Sequence, residues 1–322
     1  MSHTLATAPT RADTSSSRGS KPSTRVPRKR PTVARRRNLI GWTFVAPFGV
    51  VFLALLILPL LYAFWLSLQT ETLAQGNTFT WFENYARAFT DPLFLKGARF
   101  VVIFSLIVIP VQMLLSLVAA LIIDSLTTRL ARVSRVLIFI PYAVPVVIGA
   151  LMWGFLYSPS FGPGSDIFGL FGLVAPNLLS PDGIFFGLIN IVSWQWAGYY
   201  MIIIYSALQG IDPALYEAAK LDGANKLQIA LRIKVPMVAS SLVLILVFAL
   251  IHTLQFFTEP HILKSIASGA IDASFTPNIY AYNLAFSYTQ FNYASAISFA
   301  LGIIVFIGSY IFLVSTRKRS GL

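Results

Sequence analysis

The stretch whose residue types and spacing carry most chemistry is 209–236, which reads Gln-Gly-Ile-Asp-Pro-Ala-Leu-Tyr-Glu-Ala-Ala-Lys-Leu-Asp-Gly-Ala-Asn-Lys-Leu-Gln-Ile-Ala-Leu-Arg-Ile-Lys-Val-Pro. Asp212 before Pro213 is a helix-start signal, a side-chain acceptor at the N-cap with proline at the first helical position. A short helix is expected through about Leu221. Gly223, with no Cβ, then permits a left-handed turn. A second short helix is expected to about Ile233, stopped by Pro236. Glu217-Ala218-Ala219 gives the first helix a tip with small side chains and one carboxylate. Such a tip lets a groove of another protein close around the backbone. A generic amphipathic helix lying on a membrane surface has the same composition.

Elsewhere the chain offers binding groups rather than reactive ones. It has no cysteine, which excludes disulfides, thiolate metal sites and a cysteine nucleophile. His3, His252 and His261 are scattered, and no nucleophile–base set or H-E-x-x-H spacing occurs. No catalytic residue, metal site or cofactor is therefore expected in this chain. Neutral polar groups lie instead among aromatic rings: Tyr142; Asn190, Trp194, Gln195, Trp196, Tyr199 and Tyr200; and His252, Gln255, Phe256 and Phe257. A hydroxyl-rich ligand with two ring faces needs donors, acceptors and aromatic surface of this uncharged kind. Trp and Tyr also gather at membrane interfaces, and Asn and Gln also join helices inside membranes.

The elements that must position these residues are membrane spans. Of the 322 residues, 56% are hydrophobic and 11% charged, and the mean hydropathy is +0.73. Soluble domains carry about 25% charged residues, so this chain cannot cover itself with a polar surface. Six runs reach the roughly 20 apolar residues that a spanning helix needs: approximately 39–66, 98–123, 136–158, 184–208, 237–258 and 294–315. Pro47, Pro59, Pro110, Pro141 and Pro145 should kink them. Residues 1–38 hold ten Lys/Arg and a single acid, Asp13, among Ser, Thr, Pro and Ala. That composition predicts a disordered tail, read as a topology signal and a weak contact with anionic lipid, not as a nucleic-acid-binding arm. The run after it is too long for a signal peptide. Sorting basic residues by the segments between runs puts twenty on the side of the tail and four on the other. The positive-inside rule then places both termini in the cytoplasm.

An ion-coupled secondary transporter of a small solute is the alternative reading. It needs ionisable groups at mid-membrane. Only His252 lies well inside a run; Asp124 lies just beyond the end of the second, and Arg99 near its start.

The spacing in 209–236 sharpens the reading. Glu217-Ala218-Ala219, three residues, Gly223, nine residues, then Ile233-x-Val235-Pro236 resembles the EAA loop of binding-protein-dependent ABC importer permeases, with Val235 where Leu is usual. The resemblance covers almost all of 39–322. Pro59-Leu60-Leu61-Tyr62 and Ser67-Leu68 resemble the first span of sugar permeases. Phe82-Glu83-Asn84-Tyr85 and Asp91-Pro92-Leu93-Phe94 resemble their first external loop. Ile140-Pro-Tyr-Ala-Val-Pro145 and Tyr293-Ala-Ser-Ala-Ile-Ser298 resemble spans of the maltose-type members. Phe256-Phe257-Thr258-Glu259-Pro260 and Thr276-Pro277-Asn278-Ile279-Tyr280 resemble the lactose/cellobiose-type branch.

The resemblance implies an all-α membrane protein with six transmembrane helices in the type I ABC importer permease fold. A cytoplasmic tail would occupy 1–38 and a permease domain 39–322, with its core at about 95–316 and the coupling loop at 209–236. Glu217, Ala218, Ala219, Asp222, Gly223, Ile233 and Pro236 would form the surface docked by an ATP-binding subunit, which hydrolyses ATP with Mg; this chain would hydrolyse nothing. Tyr142, Trp194, Gln195, His252 and Gln255 would line the solute cavity. Implied partners are a second homologous permease, an ATPase dimer, an extracytoplasmic solute-binding protein and a sugar, with a di- or oligosaccharide favoured. The location would be the cytoplasmic (inner) membrane.

Overall fold

The computed structural model describes residues 31–72, 76–126, 128–160 and 162–320. The chain divides into two units, 1–58 and 59–322. In the first, helix α1 spans Pro31–Phe52 and a π-helical stretch follows at Leu53–Ile57. Residues 1–30 of the expected tail lie outside the described residues. The remainder, 31–38, is helical rather than irregular, and its Ala and Arg residues are good helix formers.

The second unit carries α2 (Leu58–Ser67), a hairpin of β1 (Gln69–Thr72) and β2 (Gly76–Phe79), α3 (Glu83–Ala88), α4 (Pro92–Asp124), α5 (Thr128–Ala143), α6 (Val146–Leu156), α7 (Pro163–Leu170) and α8 (Ile184–Leu208). Then come α9 (Pro213–Leu221), α10 (Lys226–Ile229), α11 (Val235–Met237), α12 (Ala239–Leu254), α13 (Thr258–Leu263), α14 (Pro277–Phe286) and α15 (Phe291–Ser320). The strands pair antiparallel, Gln69 opposite Phe79 and Thr72 opposite Gly76. This is a small departure from an all-helical expectation, in a polar segment outside the apolar runs.

Among the described residues four helical stretches are long and apolar enough to cross a membrane: Gly41–Ser67, Pro92–Asp124, Ala239–Leu263 and Phe291–Val314. A fifth is the pair Arg129–Ala143 and Val146–Leu156, bent by 94°. The third expected run is therefore broken, not merely kinked. Val144 precedes Pro145, and a residue before proline is driven out of helical geometry. The fourth expected run is α8, 25 residues long, about 38 Å at 1.5 Å per residue. Its centre, Trp194-Gln-Trp-Ala-Gly-Tyr-Tyr200, lowers its hydropathy.

That polar helix is the centre of the core. It packs against α4, α5 and α12, burying Leu188, Ile191, Met201, Ile204 and Leu208. Two α4 side chains reach its carbonyls: Gln112 Nε2 donates to Val192 O at 3.2 Å and Ser116 Oγ to Ala197 O at 3.0 Å. Against α5 the approach is backbone to backbone. A Cβ at Gly198 would stand 2.0 Å from Ile138 O, so only glycine fits there.

Candidate functional site

The 209–236 loop is a helical hairpin built from local signals. Asp212 caps α9, accepting from Ala214 N at 2.9 Å, with Pro213 next. At the far end Ala224 N donates to Ala219 O at 2.9 Å and Gly223 N to Lys220 O at 3.0 Å. Those two bonds form a Schellman turn, and Gly223 takes the left-handed conformation it needs, φ +82°. Asn225 and Gln228 then make a reciprocal capping box with bonds of 2.8 Å each way.

One expectation fails here. The second helix does not stop at Ile233. It passes from α10 through a π-helical stretch, Ala230–Lys234, into α11 and ends at Met237. Val235 N bonds to Ala230 O, five residues back. The widened turn makes room for the Pro236 ring, which would otherwise meet the carbonyl four residues before it.

Glu217, Ala218, Asp222 and Gly223 are exposed, Ala219 half-buried. Leu221 beside them is 89% exposed. Asp222 and Gly223 line a cleft of about 280 Å³ with Ala224, Gln228, Arg232 and Ile233. Pro236 is exposed on the second arm. The hairpin thus presents small and apolar side chains with the carboxylates of Glu217 and Asp222, an arrangement suited to insertion into a partner's groove. Its base is tied down. Asp124 Oδ1, at the end of α4, accepts from Gln209 Nε2 at 2.7 Å, and Asp124 Oδ2 pairs with Lys234 Nζ. Lys234 Nζ also lies 4.9 Å from the centre of the Tyr216 ring. Burial, and then the Asp124 carboxylate, push the Tyr216 phenol pKa up.

The expected solute residues fall into separate places. Tyr142, in the last turn of α5, stacks on Tyr199 at 4.6 Å and meets Trp196 edge-on at 5.4 Å. His252 from α12 lies on Trp196 at 4.2 Å. These four rings form one cluster joining three helices. Trp194 turns instead toward α6, edge-on to Trp153 at 5.7 Å. Gln195 is 2% exposed and donates through Nε2 to Val144 O at 2.9 Å. Its Oε1 has no partner among the described residues. Gln255 is exposed and lines a cavity of about 820 Å³ with Phe257, Asn278, Tyr282 and Phe286.

Sequence reasoning named one group without selecting it and missed another. Trp196 and Tyr199 are the centre of the ring cluster, which their five-residue neighbourhood of aromatics made hard to single out. Glu259 lay just beyond the fifth run, but α12 and α13 form a single apolar stretch to Leu263, and Glu259 within it is 2% exposed. His252 is therefore not alone among titratable groups inside a span.

On the outer loops, as the basic-residue count assigns them, Asp91 caps α4 and binds two tyrosines. Its Oδ2 accepts from Tyr280 and Tyr293 hydroxyls at 2.7 Å each, and its Oδ1 from Leu93 N at 2.9 Å. Burial opposes ionisation, but the hydrogen bonds from Tyr293, Tyr280 and the backbone outweigh it and hold the carboxyl below its usual range.

Comparison with known proteins places these features. Residues 112–318 match the family model "binding-protein-dependent transport system inner membrane component". The lactose transport system permease protein LacF of Rhizobium radiobacter is 27% identical over 293 residues, covering 90% of this chain and 98% of that protein. The trehalose/maltose transport system permease protein MalF of Thermococcus litoralis is 27% identical over 286 residues, 88% of this chain and 96% of its own. A crystal structure of a bacterial alginate ABC transporter, in complex with a periplasmic protein bound to alginate pentasaccharide, contains a chain that aligns with a TM-score of 0.79 at 20% identity, over 91% of this chain and 99% of that one. That likeness bears on the fold. With its long apolar helices and its matched region covering more than half of the sequence, the chain is a multi-pass membrane protein and belongs to the binding-protein-dependent transport system inner membrane component family.

Proposed function

We propose that the chain is one of two transmembrane subunits of an ATP-driven importer that moves a sugar, preferentially a di- or oligosaccharide, across the cytoplasmic membrane. The observation that carries this is the 209–236 hairpin: an exposed Glu217-Ala218 tip on a capped helix, turned at Gly223, with its base fixed to the membrane helices. The relatives' sugar substrates support the solute class. So does the ring cluster of Tyr142, Trp196, Tyr199 and His252, which offers aromatic faces and neutral polar atoms.

The hairpin inserts into an ATP-binding subunit, which carries ATP and Mg. A homologous permease completes the pathway and a solute-binding protein delivers the sugar. ATP drives the cycle only by favouring one of two packed states. Both termini face the cytoplasm. The test is isolation of the complex through a tag on this chain, followed by ATP-dependent uptake of labelled lactose, cellobiose, maltose and trehalose into vesicles with the binding protein supplied. Co-isolation of an ATPase and a second permease with uptake of one of these sugars is expected. An ATPase-free preparation, or uptake driven by an ion gradient alone, would remove the proposal.

A further inference from the structure

The base of the hairpin carries a carboxylate in an unusual place. Asp124 is the last residue of the 33-residue helix α4, where the negative end of the helix dipole disfavours a negative charge. It is offset by two partners from opposite ends of one loop. Gln209, before α9, donates to Oδ1 at 2.7 Å. Lys234, after α10, pairs with Oδ2. The side chains of Lys234 and Asp124 are only 15% and 9% exposed, so solvent screens this pair far less than a surface ion pair. The Lys234 ammonium also faces the Tyr216 ring of α9 at 4.9 Å, a cation–π contact. The Tyr216 hydroxyl has no partner among the described residues. One carboxylate thus joins the end of the second span to the C-cap of α8 at Gln209, to the second arm of the hairpin at Lys234 and, through Lys234, to α9 itself.

We infer that Asp124 is the positioning residue that makes the hairpin one rigid body with α4, so that force applied at the α9 tip enters the membrane through α4 as well as through α8 and α12. A hairpin held only at its two chain ends can swing about them. With Lys234 held between the Asp124 carboxylate and the Tyr216 ring, such swinging breaks an ion pair or a cation–π contact. From α4 the movement reaches the ring cluster through the Gln112 and Ser116 bonds to α8 carbonyls at Val192 and Ala197, which flank Trp196. This inference rests on the coupling reading of the hairpin.

The test compares the purified wild-type complex with Asp124→Asn, Lys234→Met and the exchange Asp124→Lys/Lys234→Asp, reconstituted with the binding protein. Each single variant should retain the ATPase subunit, because the tip is untouched. Sugar uptake per ATP hydrolysed should fall about tenfold, the size of an ordinary allosteric coupling. The exchange should restore most of it, since Gln209 can turn its amide oxygen toward a lysine. Wild-type transport stoichiometry in either single variant would overturn the inference while leaving the coupling reading intact. If the single variants do not assemble, the exchange decides: recovery of assembly and uptake supports the clamp, and failure to recover overturns it. A wild-type complex that holds no ATPase would fail the coupling reading itself.

Discussion

Gln195 on α8 donates its side-chain amide to the carbonyl of Val144, at the 94° break between α5 and α6, over 2.9 Å. Pro145 ends helical pairing at this point, and Gln195 supplies the bond that a continuous helix would have made. Gln195, which resemblance places in the solute cavity, thus also braces the helix break that carries Tyr142.

Gln195→Ala should therefore act on stability. Removing the donor from the part-buried Val144 carbonyl costs about 0.5–1.5 kcal/mol, the net worth of an ordinary hydrogen bond, and the detergent-solubilised complex should melt earlier. Tyr142→Ala removes a half-buried ring stacked on Tyr199, a loss of about 0.5–1.5 kcal/mol in aromatic pairing, and should lower sugar uptake at temperatures well below its melting point. Wild-type melting of Gln195→Ala would undo the brace, and normal uptake with unchanged sugar preference in Tyr142→Ala would undo the site.

Gly198 is held to zero side chain by the Ile138 carbonyl, 2.0 Å from where a Cβ would sit. Gly198→Ala forces α5 and α8 apart, a backbone overpacking that costs about 1–3 kcal/mol or more. Gly198→Val should abolish accumulation in the membrane. Membrane levels equal to wild type for both, measured by immunoblot, would contradict the close helix contact.

Glu217→Lys reverses the carboxylate at the hairpin tip. If it pairs with a cation in the ATPase cleft, the change costs about 2–5 kcal/mol across that interface, and less ATPase should co-purify. Gly223→Val acts otherwise, forcing a β-branched residue to φ +82°, a strain of about 1–3 kcal/mol. Uptake and binding-protein-stimulated ATP hydrolysis should fall together in both. Sugar binding by the isolated solute-binding protein serves as the control. Full uptake with normal ATPase association in Glu217→Lys would sink the docking role of the tip.

The Asp91 carboxyl, held below its usual value by Tyr280 and Tyr293, links stability to pH. A depressed folded-state pKa stabilises the fold above the unfolded value and loses that contribution as pH falls through the folded one. The ordinary value for an aspartate is 3.8, so the loss begins near there and continues below it. Asp91→Asn should melt earlier than wild type at pH 7, and the difference should shrink as pH falls below 3.8. A constant difference across that range would show that Asp91 does not titrate as proposed.

Orientation has a direct test because the chain lacks cysteine. Single cysteines at Ser268 and Ser20 should differ in intact cells, with Ser268→Cys reacting with a membrane-impermeant maleimide and Ser20→Cys remaining unlabelled. External labelling at position 20 would reverse the topology.

The sequence by itself determined what depends on neighbours along the chain. Hydropathy placed the long apolar helices within a few residues, because burial in lipid is decided by local composition. Asp212-Pro213, Gly223 and the residues between them specified α9 and its turn, because caps and left-handed glycines act over four or five residues. The π-helical passage through Pro236 lies at the edge of this class: proline alone reads as a stop, and only a widened turn lets the helix continue. Tertiary structure decided everything that depends on which distant groups meet. Gln195 and Val144 are 51 residues apart, and Asp124 and Lys234 are 110 apart. No local pattern distinguishes a glutamine that braces a helix break from one that faces solute. Nor does composition say that an aspartate just past a span will bind both ends of a distant loop. A polar side chain in a membrane protein takes its role from the partner that satisfies it, and that partner is chosen by packing.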